Sequence, residues 1–329
     1  MDLMLSEDEE QIVDAAKALL SNELPVEYRR WEKGAASAAD RAMMAQFAEL
    51  GWIALGLPES KGGFGFGATE EALLFREAGR ALVTPRLLAS VVAARIAATA
   101  GDTDRASSLI EGHQQAGIAV PDGDGGCFLI DADGAAEMLV IAGAGPALVP
   151  GSGFHDRAPV RSTDETVHLE RAKLDSVASS VAGDSRAASH LSLLIAAMLA
   201  GSAEAVRDLT AAHACERVQF GQKIGTFQAV SHPIADMAVR CEAALAQVKV
   251  AAIAFRDERE DADFQVMAAR IVALDAALSN AQAAVQLHGG MGFTAEYPVH
   301  FHLKRAHLLD QVGGSMADQL DRCFAAAVA

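Results

Sequence analysis

The sequence predicts a mainly α-helical protein with one small β domain set between two helical regions. Three observations lead there. Hydrophobic residues make up 51% of 329 residues with only 9 prolines, and alanine runs throughout, so helix should exceed the usual third. Near residue 116 the pattern changes to short apolar runs broken by Gly, Asp and Pro, which is how strands and turns read. Near Arg186 helix returns, with Leu191, Leu194, Ile195, Met198, Val206 and Leu209 close to a 3.6-residue period. A single core stops growing beyond roughly 250 residues. The expected division is therefore a helical domain over 1–115, a β domain over 116–175 and a helical bundle over 176–329.

The elements follow in order. Ser6 and Glu9 form a capping box ahead of EDEEQIVDAAKALL. Thr69, as cap, with Glu70 and Glu71 opens EALLFREAGRALV. Between them lies the glycine-rich GLPESKGGFGFGA. Its GFGFGA (63–68) matches G-x-G-x-x-A but follows no strand, so it reads as a loop whose glycines supply positive φ. AGIAV, CFLID, MLVIAG, ALVP and TVHLE are the expected strands, and GAGPALVPGSG, with no helix behind it, reads as a turn. Two further long helices are expected over 228–256 and 262–287. Their short connections imply an antiparallel bundle, and their apolar stripes imply packing against partner bundles.

Several function classes are excluded early. With 27 basic against 44 acidic residues, net charge −17, nucleic acid and anionic membranes are repelled. Cys127, Cys215, Cys241 and Cys323 lie far apart without a C-x-x-C pair, against a zinc site or disulfide framework and consistent with a reduced cytoplasmic setting. The acidic MDLMLSEDEEQ lacks a signal-peptide pattern. AASHLSLLIAAMLAGSA (187–203) is shorter than a typical span of about 20 residues and reads as a buried helix. His300, His302 and His307 suit no metal shell, since i and i+2 diverge on a helix.

Taken singly, Glu216 and Arg217 read as helix-end charges and Gly289-Gly290 as a helix cap. Their order changes that. ERVQFGQKIGTFQAVSHPIADM (216–237), followed about fifty residues later by QLHGGMGFTAEYPV (286–299), resembles the C-terminal half of an acyl-CoA dehydrogenase. GWIALGLPESKGGFGFGATEEALLFREAGRALVTP (51–85) resembles the N-terminal domain of that family. The resemblance implies an N-terminal helical domain, a β domain, here shortened, and a C-terminal four-helix bundle. It also implies that bound FAD takes a hydride from the β-carbon of an acyl-CoA while a carboxylate removes the α-proton.

Carried onto this chain, the resemblance assigns Arg217, Gln219, Phe220, Phe227 and Gln228 to the pyrophosphate and adenine side of FAD. An arginine fork suits a pyrophosphate. Gln286, Gly289 and Gly290 match a segment that reaches an FAD held mainly by a neighbouring subunit, and Ser315 is a further expected cofactor contact. The family's flavin-ring loop in the β domain has no equivalent here. Its usual base position falls on Gly313, between Val312 and Gly314, and the alternative base position, upstream on a bundle helix, reads His190, Leu191, Ser192.

No catalytic residue is thus identified. The pattern is similar to heteromeric acyl-CoA dehydrogenases of bacterial steroid catabolism, in which a shorter chain pairs with a fuller homologue that would supply the base. The alternatives are a self-sufficient homo-oligomer using Asp310, and a non-catalytic scaffold that has lost FAD. The sequence names neither the acyl group nor the electron acceptor.

Overall fold

The computed structural model describes residues 4–25, 35–142, 145–175 and 180–328. Five helices form the N-terminal region: α1 (Glu7–Glu23), α2 (Ala35–Glu49), α3 (Ala68–Arg80), α4 (Pro85–Ala100) and α5 (Thr103–Ile110). The capping box of α1 is present. Glu9 N–H donates to Ser6 Oγ at 3.2 Å, and Ser6 N–H to the Glu9 carboxylate at 2.8 Å. The start of α3 differs from expectation: Gly67, not Thr69, is the cap, and its N–H donates to Glu70 at 2.8 Å. Thr69 lies inside the helix and donates its hydroxyl to the same carboxylate. A Cβ on Gly67 would stand 3.0 Å from Arg256 Cδ, so close packing favours glycine at the cap.

The sheet runs β1 (Ala116–Pro121), β2 (Cys127–Ile130), β3 (Glu137–Ala142), β4 (Gly145–Pro150), β5 (Phe154–Pro159), β6 (Leu169–Leu174) and β7 (Val181–Ala182), in the spatial order β5-β6-β2-β1-β3-β4-β7. Among the described residues only β1 and β3 pair in parallel. One face, with Ile118, Ile130, Leu139 and Leu148, joins the main core. The other, with Ala119, Leu129, Met138 and Val149, forms a second core. Three local expectations need correction. GAGPALVPGSG contains strand β4 followed by a 3-10 turn at Gly151–Gly153, because Pro146 and Pro150 sit at the strand's ends, where a missing N–H costs little. In TVHLE only Leu169 and Glu170 are strand, since Thr166 binds Asp164 instead. Strands β5, with its charged and exposed centre, and β7, only two residues long, carry too little apolar alternation to be read from sequence.

The C-terminal region contains α6 (Ser185–Glu216), hairpin strands β8 (Val218–Gln219) and β9 (Gln222–Lys223), α7 (Gln228–Arg256), α8 (Ala262–His288), α9 (Val299–Asp310) and α10 (Met316–Val328). Helix α6 is its axis, packed on α7 and α8 and also on α3. Two glycines permit the crossing with α3. A Cβ on Gly79 would lie 2.0 Å from Met198 O, and one on Gly201 1.9 Å from Arg76 O. Although α6 is long and apolar enough to cross a bilayer, 89% of its most apolar window is buried inside the protein. Arg305 of α9 ties the three regions together: it donates to Asp164 and Thr166 at 2.6 Å each and to Val83 O in the α3–α4 turn.

Candidate cofactor site

The residues singled out from sequence fall into two groups at opposite ends of α6. At its C-terminal end Arg217 caps the helix, its N–H donating to His213 O at 2.9 Å. Its guanidinium is exposed and makes no hydrogen bond or ion pair among the described residues. Hairpin β8–β9 follows, turning at Phe220 (φ 52°) and Gly221 (φ 79°), the paired left-handed conformation of a type I′ turn. The turn leaves Phe220 94% exposed, edge-on to Phe227 with centroids 6.2 Å apart. Gln219 and Gln228 are also exposed.

Helix α8 ends beside the last turns of α6. Gln286 points outward, and Gly289 ends the helix at φ 60°, a left-handed position that favours glycine. Gly290 has no such backbone need. A Cβ at either glycine would meet nothing within 4 Å. Three rings that the sequence reading missed join the two ends: His213 stacks on His288 at 4.4 Å, and Tyr297 lies 4.5 Å from His288. Their signal was position, since His213 lies one turn before Arg217 and His288 directly precedes Gly289. His288 Nδ1 is 2.7 Å from Ala284 O, which makes it the donor and leaves a buried Nε2 without a partner. Burial lowers the pKa of both histidines, helped by Arg217 beside His213 and by His213 beside His288.

Near the other end of α6 the two base positions meet. A Cβ on Gly313 would lie 3.8 Å from Leu191 Cδ2, and Leu191 is 2% exposed. Gly313 (φ 83°) and Gly314 (φ 103°) are both left-handed. The loop is held from behind: Arg270 donates to Leu309 O and Val312 O, and Gln319 to Gly313 O at 2.9 Å. Asp310 accepts from Met316 N–H at 2.8 Å. Ser315 caps α10, its hydroxyl 2.8 Å from Asp318. His190, next to Leu191, is buried against Glu71 at 2.8 Å. The three C-terminal histidines diverge: His302 is buried 2.9 Å from Ser202, His300 tilts against Phe301, and His307 is exposed. No group of three His, Cys, Asp or Glu side chains among the described residues is arranged to hold a metal ion.

A helical domain, a sheet and a helical bundle, with an arginine-and-glycine rim at one end of the bundle, define a flavoenzyme-like class. The chain belongs to the acyl-CoA dehydrogenase family and is an oxidoreductase acting on acyl-CoA. Residues 6–107 match the family's N-terminal domain and 185–327 its C-terminal domain. It is 34% identical to the acyl-CoA dehydrogenase IpdE2 of Mycobacterium tuberculosis over 79% of this chain and 78% of that one. It is 32% identical to FadE34 of the same organism over 84% of this chain but 40% of that longer one. Among solved structures, the Tcur3481-Tcur3483 steroid ACAD G363A variant matches with TM-score 0.82 at 24% identity, over 98% of this chain and 99% of that one. The ChsE4-ChsE5 complex from Mycobacterium tuberculosis matches with TM-score 0.80 at 23% identity, over 98% and 97%. At these identities the structures speak for the fold.

Proposed function

We propose that this chain is one subunit of a cytoplasmic, FAD-dependent acyl-CoA dehydrogenase built from unlike chains, and that a fuller homologue supplies the base. The closeness of Leu191 to Gly313 carries the reading. The two places at which the family resemblance puts a carboxylate adjoin each other, Gly313 beside Leu191 of the His190-Leu191-Ser192 run, and neither holds a carboxylate. Asp310, the alternative, already binds the Met316 N–H across its own loop. The division into 1–115, 116–175 and 176–329 belongs to the same reading.

FAD fits the other end of α6. Arg217 would pair with the pyrophosphate, the hairpin residues Gln219 and Phe220 with Phe227 and Gln228 would face the adenine side, and Gln286, Gly289 and Gly290 would admit phosphate oxygens close to the backbone. Gly290 supports this because this chain's own packing gives no reason for glycine there. Arg217 lies 26 residues from Leu191, about 39 Å along a helix rising 1.5 Å per residue, too far for one flavin dinucleotide to serve both. The Arg217 rim therefore completes a site on another subunit. Bound FAD supplies hydride acceptance from the acyl β-carbon; Ser315 would contribute at the other end only by releasing its cap. Steroid-derived acyl-CoA is the substrate class we favour, from the resemblance to heteromeric steroid-catabolism dehydrogenases and from a similar structure named as a steroid ACAD. The assembly is expected through the bundle.

A visible spectrum tests the proposal. A flavin band only after co-expression with a homologous chain is expected. A band on the lone chain would favour a homo-oligomer, and none in either preparation a scaffold.

A further inference from the structure

A cavity of about 460 Å³ opens between the glycine-rich loop before α3, the last turns of α4, the start of α6 and the end of α7. Lys61, Arg95, Arg186 and Arg256 line it. In a chain of net charge −17 this is a lining in which basic side chains outnumber acidic ones. Of the two acidic wall residues, Asp184 is committed to capping Ala187 N–H at 2.9 Å, and Glu258 is an exposed side chain 3.3 Å from Arg186.

The cations are held in different ways. Arg95 is anchored from behind through Nη2, which donates to Gly56 O at 3.0 Å and to the buried Glu71 carboxylate at 3.1 Å, while its Nη1 makes no hydrogen bond. Glu71 is shared with His190. The Arg186 guanidinium lies 4.3 Å from the Phe255 ring centroid and donates to Phe255 O at 3.2 Å, so it is oriented before any ligand arrives. Arg256 packs on Gly67 and pairs with Asp257 at 2.7 Å. Lys61 has no partner among the described residues. Leu57, Phe66 and Ile96 supply apolar wall. Fixed guanidinium groups and a mobile ammonium beside apolar surface suit an oxyanion carried on an apolar body.

We propose that this cavity binds a small organic anion, with its phosphate or carboxylate group at Lys61, Arg95 and Arg186 and its apolar body against Phe66 and Leu57. None of these residues belongs to the Arg217 rim or the Gly313 loop, so the proposal stands apart from the cofactor reading.

Calorimetric titration of the full chain at low salt tests it, with phenyl phosphate, benzoate, phenol and inorganic phosphate as probes. Saturable one-to-one binding of phenyl phosphate or benzoate is expected, the tighter of the two identifying the anionic group. Phenol and inorganic phosphate should each bind at least about tenfold more weakly than that probe, and Lys61→Gln and Arg186→Gln should each weaken its binding by about tenfold. Lys61→Gln changes an unpaired side chain and keeps the test usable if the arginine variant folds poorly. Absence of saturable binding by either organic anion, inorganic phosphate binding as tightly as the organic probe, or unchanged affinity in both variants would each overturn the proposal.

Discussion

Arg217 and Leu191 sit on the same helix and were picked out by the same family pattern, yet their surroundings are opposite. Around Arg217 the hairpin, Gln286 and Gly290 face outward. Leu191 itself is buried, and the facing loop is tied down by Arg270 and Gln319. Exposed polar groups at a surface can serve an external ligand, whereas a buried apolar side chain beside a tied-down loop serves the fold. On the proposed reading, this chain's chemical contribution lies at the first end.

The largest expected effect tests that end. In the purified assembly, Arg217→Ala removes charge-assisted contacts worth about 1.5–3 kcal/mol, so bound FAD should fall about tenfold or more. Flavin absorbance per protein reads this directly. Full FAD content in the variant would erase the contrast between the ends.

At the other end, Gly313→Glu should cost about 1–2 kcal/mol of stability, because a side chain at φ 83° meets its own backbone. The nearest atom to the new Cβ is 3.8 Å away, so the penalty is conformational and Gly313→Ala should share it. Acyl-CoA-dependent reduction of an artificial acceptor by the lone chain should stay absent. A carboxylate does not restore a site whose loop is built for glycine. Activity in Gly313→Glu would mean that only the base was missing.

How legible these ends were in the sequence differs with the physics. Helices α7 and α8 were readable almost to the residue, because long alanine-rich apolar runs with few prolines leave little choice. The one-sided stripe expected of α8 is absent, since its apolar residues run all round the helix. The α6 helix was equally clear. Strands β5 and β7 were not, since the exposed His155-Asp156-Arg157 run and a two-residue edge carry no alternation. The Arg217 rim was legible because its residues are close in sequence, in two blocks. The meeting of Leu191 with Gly313, the His213–His288 stack and the cationic cavity depend on contacts between segments far apart in the chain, which no local pattern encodes.

Acidification should affect the Arg217 end more subtly. His213 and His288 have folded pKa values pushed below 6.5 by burial, so the fold prefers them neutral. Their contribution is fully present above the unfolded value of about 6.5 and is lost as pH falls from there through the depressed folded values. His190 is shifted the same way, chiefly by burial, so the wild-type slope is shared. Melting temperature and FAD content should both fall between about pH 7 and pH 5, and His288→Phe should flatten part of each curve. An identical slope in His288→Phe would remove the ring stack from the account.

The smallest expected change in stability makes the sharpest distinction. Gly290 is not in a left-handed conformation, and a Cβ there meets nothing within 4 Å. Gly290→Ala should therefore shift the lone chain's stability by no more than about 0.5 kcal/mol, in the range of ordinary surface substitutions. In the assembly the same methyl group would stand where phosphate oxygens approach the backbone, so FAD content should drop while the melting curve of the lone chain stays put. Gly289→Ala is the contrasting variant: at φ 60° it should destabilise the lone chain by about 1 kcal/mol through strain at the helix end. If Gly290→Ala leaves both stability and flavin content unchanged, the glycine is incidental and the rim must rest on Arg217 and Gln286. If it destabilises the lone chain, an internal contact explains the glycine and the argument for an external ligand at that position falls.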